Sequence, residues 1–412
     1  MSTPYSRLVG IDWAKSLHEV CVLDAQGEAI EQRQVEHKAT PIAKLGDRLI
    51  EQAGGDPARV AVAIEEPRGT VVETLLERAI HVYVVNPKQL DRFRDRHTMA
   101  GAKDDRLDAY VLADVLRTDR KLLRRLELDA AQVIELRELT RADEGLRKEV
   151  SRLTNRVAAQ IYRVAPRLSR LCEAANEPWY WDLVERMLVT HVGKPVSRRW
   201  VKALIKRNGI RRVTYPEVLA ILEEPQVFVA PGAAQAARRH LALLLPRLRL
   251  AHQQRAECRQ QLEQVLQECA EADDSDPRPS DVEILLSLPG AGVGIVSTMV
   301  AEASGIIARR DYAALRAHGG VAPVTRRSGK SKRISMRYAC NRRLRFALHH
   351  FARCSTMNDP AARQYYQSHR ERGHSHSHAL RALGNRWLRI LVAMLRNRTC
   401  YRPELQATAQ AA

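Results

Sequence analysis

Val60-Ala61-Val62-Ala63-Ile64 is the segment that most limits what this chain can become. Five apolar residues without polar alternation read as a buried strand, and a buried strand needs cover from its neighbours. The next segments offer it. Thr70 to Ala79 reads as a helix, and Val82 to Val85 is another apolar strand, stopped by Asn86-Pro87. Strand, helix, strand in that order predicts a sheet with helices packed on it. Upstream, Leu8 to Trp13 and Glu19 to Asp24 are short apolar runs separated by the turn-like Ala14-Lys15-Ser16. Gln26-Gly27 then gives a hairpin signal. Pro41 to Gln52 and Leu107 to Arg117 carry helical spacing, through Ile42, Leu45 and Leu49 and through Leu107, Val111, Leu112 and Val115. Residues 1–126 are therefore expected to form an α/β domain.

Carboxylates stand at informative places in that pattern. Asp12 ends the first apolar run and Glu65 ends the buried strand, so both can reach one rim of the sheet. Asp105 and Asp108 are three apart and share a face if helical. Four oxygen donors in one cleft suit Mg2+ or Mn2+. A metal pair there could activate an attacking oxygen and stabilise a leaving one in phosphoryl transfer. The alternative is that these are solvated strand ends and surface charges. Glu66 adjoins Glu65 and Asp104 adjoins Asp105; Glu65 is preferred for directly following the strand, and Asp105 for its helical register with Asp108.

Charge names the partner class. The 412 residues include 67 Lys plus Arg against 48 Asp plus Glu, a net +19. Such an excess favours nucleic acid, with anionic lipid as the weaker alternative. The sequence has no run of about 18 apolar residues to span a membrane. Residues 1–7 lack the regions of a signal peptide. Seven scattered cysteines without a Cys-x-x-Cys pair argue against a disulfide framework and a zinc site. A reducing cytoplasm is the expectation.

From about residue 127 the character changes. Ala130 to Ala165 is long, charged and helical, with Val133, Leu136, Leu139, Leu146, Val150, Leu153 and Val157 near heptad spacing, and Leu241 to Cys269 repeats the pattern. The two could pair as a long antiparallel, coiled-coil-like arm over residues 127–275, or simply fill a bundle core. A polar linker, Asp273 to Ser280, leads to a mainly α domain over 276–405, and a low-complexity tail over 406–412 is expected to be disordered.

Between Tyr312 and Asn358 there are eleven Lys or Arg and no Asp or Glu. That block, including Arg326, Arg327, Lys330, Lys332, Arg333, Arg337, Arg342 and Arg343, predicts salt-dependent phosphate binding. Within it, Ser328 precedes Gly329, which allows a loop to present the hydroxyl. Arg326, Arg327 and Lys330 could stabilise a phosphate under attack, or the segment could be only a phosphate-binding loop. Leu288-Pro289-Gly290-Ala291-Gly292-Val293-Gly294-Ile295 precedes an apolar helix, so Gly290 and Gly292 could expose backbone N–H groups to a phosphate. A plain turn is the alternative. His350-x-x-Arg353, with Tyr365 and Tyr366 downstream, has the spacing of a tyrosine recombinase, but such an enzyme has no need of the acidic set. His374, His376 and His378 alternate with serines and read as a flexible loop more readily than as a metal site. Trp387, Arg389 and Arg396 would pack a helix onto DNA or the core.

Gly10-Ile11-Asp12-Trp13-Ala14-Lys15, Ile64-Glu65-Glu66-Pro67-Arg68-Gly69, Val85-Asn86-Pro87, Lys103 to Ala109 and Gly320 to Arg333 together resemble the DEDD transposases of the insertion sequence 110 family. The resemblance implies a RuvC-like, RNase H-type N-terminal domain whose acidic set falls on Asp12, Glu65, Asp105 and Asp108. It implies a serine nucleophile in the C-terminal domain, falling on Ser328. It further implies recombination of donor and target DNA guided by a structured RNA from the element itself. Assembly as a dimer to tetramer, with the acids of one subunit meeting the serine of another, is implied as well. Two rivals use the same residues differently: a RuvC-type hydrolytic nuclease, in which Ser328 is dispensable, and a non-catalytic nucleic-acid-binding protein.

Overall fold

The computed structural model describes residues 5–97, 104–191, 193–271, 277–329 and 331–403. The whole of the expected tail, 406–412, and residues 273–276 of the expected linker lie outside them. The chain divides into two compact units, Met1–Asp129 and Ala130–Ala412.

The first unit begins with three antiparallel strands, β1 (Arg7–Asp12), β2 (Leu17–Leu23) and β3 (Ala29–Glu36). Gly27, at φ +99°, makes the turn between β2 and β3, where an L side chain would be strained. Helix α1 (Ala39–Gln52) leads to β4 (Val60–Ile64), α2 (Thr70–Glu77) and β5 (His81–Val84). Then come α3 (Pro87–Arg94), α4 (Asp105–Thr118) and the short β6 (Arg124–Arg125). The sheet order is β3-β2-β1-β4-β5-β6, with β1, β4 and β5 parallel and β6 antiparallel to β5. Every residue of β4 is buried, as its unbroken apolar sequence demands.

Strand alternation splits the core in two. Val9, Ile11, Val60, Val62 and Ile64 pack with Ile42, Leu45, Leu49 and Leu75 of α1 and α2. Leu8, Ala61 and Ala63 pack with Phe93 of α3 and Ala109, Leu112 and Leu116 of α4. Helix α3 goes beyond the strand stop read at Asn86-Pro87. Asn86 caps it and forms a capping box with Gln89, and Pro87 occupies its first turn, where a missing N–H costs nothing.

The second unit is mainly helical. Helix α5 (Ala131–Val164) is followed by α6 (Pro178–Glu185), α7 (Arg198–Arg207), α8 (Tyr215–Glu223) and α9 (Pro231–Glu271). Helices α5 and α9 run antiparallel: Cys258 donates to the Leu139 carbonyl, Arg255 meets Asp143, and Arg156 meets His240. Their apolar residues serve two bundle cores. Leu153, Val157 and Ile161 pack with Trp179, Tyr180 and Trp181, whereas Leu136 and Leu262 join the core of the following helices. Those are α10 (Asp281–Leu286), α11 (Val293–Ala308), α12 (Tyr312–His318), α13 (Arg342–Asn358), α14 (Pro360–Glu371) and α15 (His376–Asn397). Strands β7 (Val324–Ser328) and β8 (Ser331–Ser335) form a hairpin between α12 and α13.

The segment His374 to His378 is not the loop its serine alternation suggested. Ser375 accepts from the His378 N–H and caps α15, so His376 and His378 lie in its first turn. Trp387 packs into the core, where its indole N–H donates to Ser355 Oγ at 2.9 Å.

Candidate active site

Strand register brings two of the four acids together. β1 and β4 are parallel neighbours with Ile11 opposite Ile64. The next residues are Asp12 and Glu65, on backbones about 4.8 Å apart by strand spacing. Leu8 and Gly10 precede Asp12, and Ala61 and Ala63 precede Glu65, on the side of the sheet that α4 covers. The two-residue period therefore carries both carboxylates to that side. Both residues are half-buried; Glu66 has the opposite parity and is exposed. Glu65 also borders a hollow of about 380 Å3 lined by Pro67, Asn86, Gln89, Leu122 and Arg124, at the carboxyl ends of β4 and β5.

Helix α4 supplies the other two acids. Asp104 caps it, accepting from the Arg106 N–H at 3.2 Å. Asp105 opens the helix and is exposed, while Asp108, one turn on, is only 2% exposed. Arg94 from α3 grips Asp108 with two donors, Nε to Oδ1 at 2.6 Å and Nη2 to Oδ2 at 2.8 Å. That hydrogen bonding pushes the Arg94 guanidinium above its ordinary value. Gly10 sets how closely the helix approaches. A Cβ there would lie 1.9 Å from the Ala109 carbonyl oxygen and 2.6 Å from the Ala113 nitrogen.

Hard carboxylate oxygens are the right donors for Mg2+ or Mn2+. As arranged, however, both Asp108 oxygens face Arg94. Among the described residues, no three His, Cys, Asp or Glu side chains are grouped closely enough to hold a metal ion. Asp12 and Glu65 end neighbouring strands, and Asp108 would have to exchange Arg94 for a metal to join them.

The sequence reading passed over two residues here. Glu19 of β2 pairs in register with Asp12, is 7% exposed and accepts from Gln34 Nε2. Its parity with Cys21 and Leu23 was the available signal, since an acid in line with two buried apolar residues faces the core side. Arg94 gave no signal, because it ends a helix that the sequence did not announce and its partner lies fourteen residues away.

In the second unit, Ser328 ends β7, opposite Ser331, and is exposed. Gly329 follows at φ +53°, so the serine stands at the tip of a strand hairpin. Arg327 and Arg333 are exposed, and the register sets residue 326 opposite 333 and 327 opposite 332. Lys330 and the side chains of Arg326 and Lys332 lie outside the described residues. Arg337 is half-buried and Arg342 exposed, whereas Arg343 is held by Glu144 and, through Nε at 3.0 Å, by Glu302. Gly290, at φ +84°, turns the chain between α10 and α11. A Cβ there would meet the Cys354 backbone of α13 at 2.9 Å. Gly292 caps α11 with open space above it.

An acidic sheet rim and a cationic hairpin thus lie within one chain of net charge +19, the balance expected of a protein that meets a polyanion. Comparison with known proteins makes this specific. A DEDD-type model described as Transposase matches residues 9–166, and a model described as Transposase IS116/IS110/IS902 family matches residues 282–367. The Sinorhizobium fredii protein named "Putative transposase y4uE" is 40% identical over 56% of this chain and 63% of its own length. The Streptomyces coelicolor "Mini-circle putative transposase for IS117" is 28% identical over 97% of this chain and 98% of its own. The insertion element IS116 protein of Streptomyces clavuligerus is 29% identical over the whole of both chains. The chain belongs to the IS110 family of transposases. Among the described residues, no helix is long and apolar enough to cross a membrane.

Proposed function

We propose that this protein cuts and rejoins DNA at the ends of an insertion sequence, using Asp12, Glu65, Asp105 and Asp108 as a Mg2+- or Mn2+-binding set and Ser328 as nucleophile. The observation that carries the reading is the parallel register of β1 and β4. It sets Asp12 beside Glu65 on the side that α4 covers, with Asp105 and Asp108 in the first turn of that helix. A sheet ordered β3-β2-β1-β4-β5, antiparallel then parallel, supports a RuvC-like domain.

A bound metal would supply Lewis-acid activation of the scissile phosphate. Ser328 Oγ attacks phosphorus, the Oγ–P bond forms as the P–O bond to deoxyribose breaks, and the departing oxygen takes up the proton that Oγ loses. The serine–DNA ester conserves the bond energy for rejoining. Arg333, opposite residue 326 and so on the same face of the hairpin as Ser328, would neutralise phosphate beside the serine, and like-charged residues opposed on a two-stranded hairpin favour a bound anion.

Guidance by an RNA encoded within the element rests on the family resemblance, as does assembly as a dimer to tetramer. Support for assembly comes from Tyr162, Leu243 and Leu250, apolar side chains of α5 and α9 left exposed. We assign residues 127–275 to an assembly arm and 276–405 to the serine-bearing domain.

The test is cleavage of DNA carrying both element ends by protein purified with its bound RNA. Cleavage that needs Mg2+, stops on RNase treatment and is lost in Asp12→Asn and Glu65→Gln supports the reading. Cleavage that survives either substitution overturns the acidic set. Cleavage indifferent to RNase removes RNA guidance and leaves a protein-read recombinase.

A further inference from the structure

A cleft of the second unit with a volume of about 1310 Å3 lies among α5, α9, α11, α13 and α15. That exceeds the roughly 300–1,000 Å3 of an ordinary small-ligand pocket. Its chemistry is uneven in a useful way. Arg342, Arg345 and Arg381 line it, and none of them has a carboxylate partner among the described residues. Of the three acids that line it, Asp143 is engaged with Arg255 and Glu144 with Lys148 and Arg343, while Glu263 on α9 is exposed and unpaired among the described residues. Arg381 is half-buried and directs Nη1 at the Met336 sulfur, 3.2 Å away, a weak acceptor for a guanidinium. Burial and the neighbouring Arg345 hold Arg381 below its ordinary value. Guanidinium groups crowded without a counter-charge call for an anion from outside the chain.

The same cleft holds an aromatic platform. Phe346 is 55% exposed on α13, and His350, one turn later, meets it edge-on with ring centroids 5.0 Å apart. A large apolar ring left in water between unneutralised arginines fits a ligand that is flat and apolar in one part and anionic in another. Nucleotides are such ligands, but in a duplex the base faces are covered by their neighbours. Only an unpaired strand offers base faces to stack while its phosphates reach the arginines.

We propose that this cleft binds a segment of single-stranded nucleic acid, with a base stacked on Phe346, which His350 braces edge-on, and its flanking phosphates held by Arg342, Arg345 and Arg381. The inference rests on the reading of this chain as a nucleic-acid-processing transposase, and it concerns a part of the second unit distinct from Ser328. A strand freed from pairing, in DNA or in RNA, shares the chemistry required.

The experiment measures binding of one short labelled oligonucleotide as single-stranded DNA, as single-stranded RNA and as DNA duplex. It uses the full chain and its Phe346→Ala and Phe346→Trp variants, with 2-aminopurine in the strand as a stacking reporter. Phe346→Ala should weaken single-strand binding by roughly 5- to 150-fold and relieve the quenching of 2-aminopurine. Phe346→Trp should retain both, and duplex binding should be unchanged in either variant. A loss confined to RNA or to DNA supports the proposal and identifies the strand. Thermal unfolding at the wild-type temperature confirms that exposed Phe346 was not holding the fold. Single-strand binding unaffected by Phe346→Ala, or an equal loss on duplex, overturns the cleft proposal while leaving the transposase reading in place. Wild-type protein that binds neither strand nor duplex overturns both.

Discussion

Replacing Gly10 with alanine should break the contact that holds α4 over β1. The added Cβ would lie 1.9 Å from the Ala109 carbonyl oxygen and 2.8 Å from Leu112 Cβ. A carbon–oxygen contact needs about 3.3 Å, so the helix has to retreat by roughly 1.4 Å. The obstructing atoms include helix backbone, which has no rotamer to escape into. Overpacking of this kind costs on the order of 3 kcal/mol, which lowers the melting temperature of a unit this size by on the order of 10 °C. Asp105 and Asp108 move with the helix away from Asp12. A misplacement of about 1 Å in a catalytic set costs on the order of 100-fold in rate. The assay pairs thermal unfolding with Mg2+-dependent cleavage of element-end DNA. Gly10→Ala protein with wild-type melting and wild-type cleavage would refute the reasoning, because the helix could not then lie where Gly10 places it.

Further substitutions probe other contacts. Arg94→Ala leaves Asp108 buried without its bidentate partner and should cost about 3 kcal/mol in the first unit, read by denaturant unfolding. Ser355→Ala strips the acceptor from the Trp387 indole N–H and should cost about 1–3 kcal/mol by the same measurement. His18 is 1% exposed, and burial, with His37 alongside, holds its pKa below the ordinary value. Its neutral form is therefore favoured in the fold. The stability it contributes is present above the unfolded value and is lost as pH falls through the folded one. Amide-exchange protection of β2 should fall as the pH drops below the ordinary imidazole value of about 6.5, and His18→Asn should flatten that dependence. Protection that rises on acidification would contradict the assignment.

What could be read in advance followed from how strongly each segment was committed. Val60 to Ile64 was legible because a five-residue apolar run rich in β-branched residues is too short for a buried helix and fits a buried strand. β3 carries Glu31, Gln32, Arg33 and Gln34, most of it exposed at the sheet edge, so no periodicity announced it. Helix α3 was hidden by Asn86-Pro87, which ends one element and caps the next. The heptad-like residues of α5 and α9 could not say whether they faced one seam or two cores, because a 3.5- and a 3.6-residue period barely separate over a few turns. At the site, Asp12 and Glu65 were readable as strand ends. The bidentate hold of Arg94 on Asp108 was not, since tertiary ion pairs leave no local pattern.

The most direct test of the account is to trap the protein on a nicked suicide substrate carrying an element end and to map the adduct by peptide mass spectrometry. The account predicts a phosphodiester link at Ser328, absent in Ser328→Ala protein whose folding is unchanged because the side chain is exposed. Cleavage that proceeds in Ser328→Ala with no adduct formed would contradict it and leave metal-assisted hydrolysis by the acidic set.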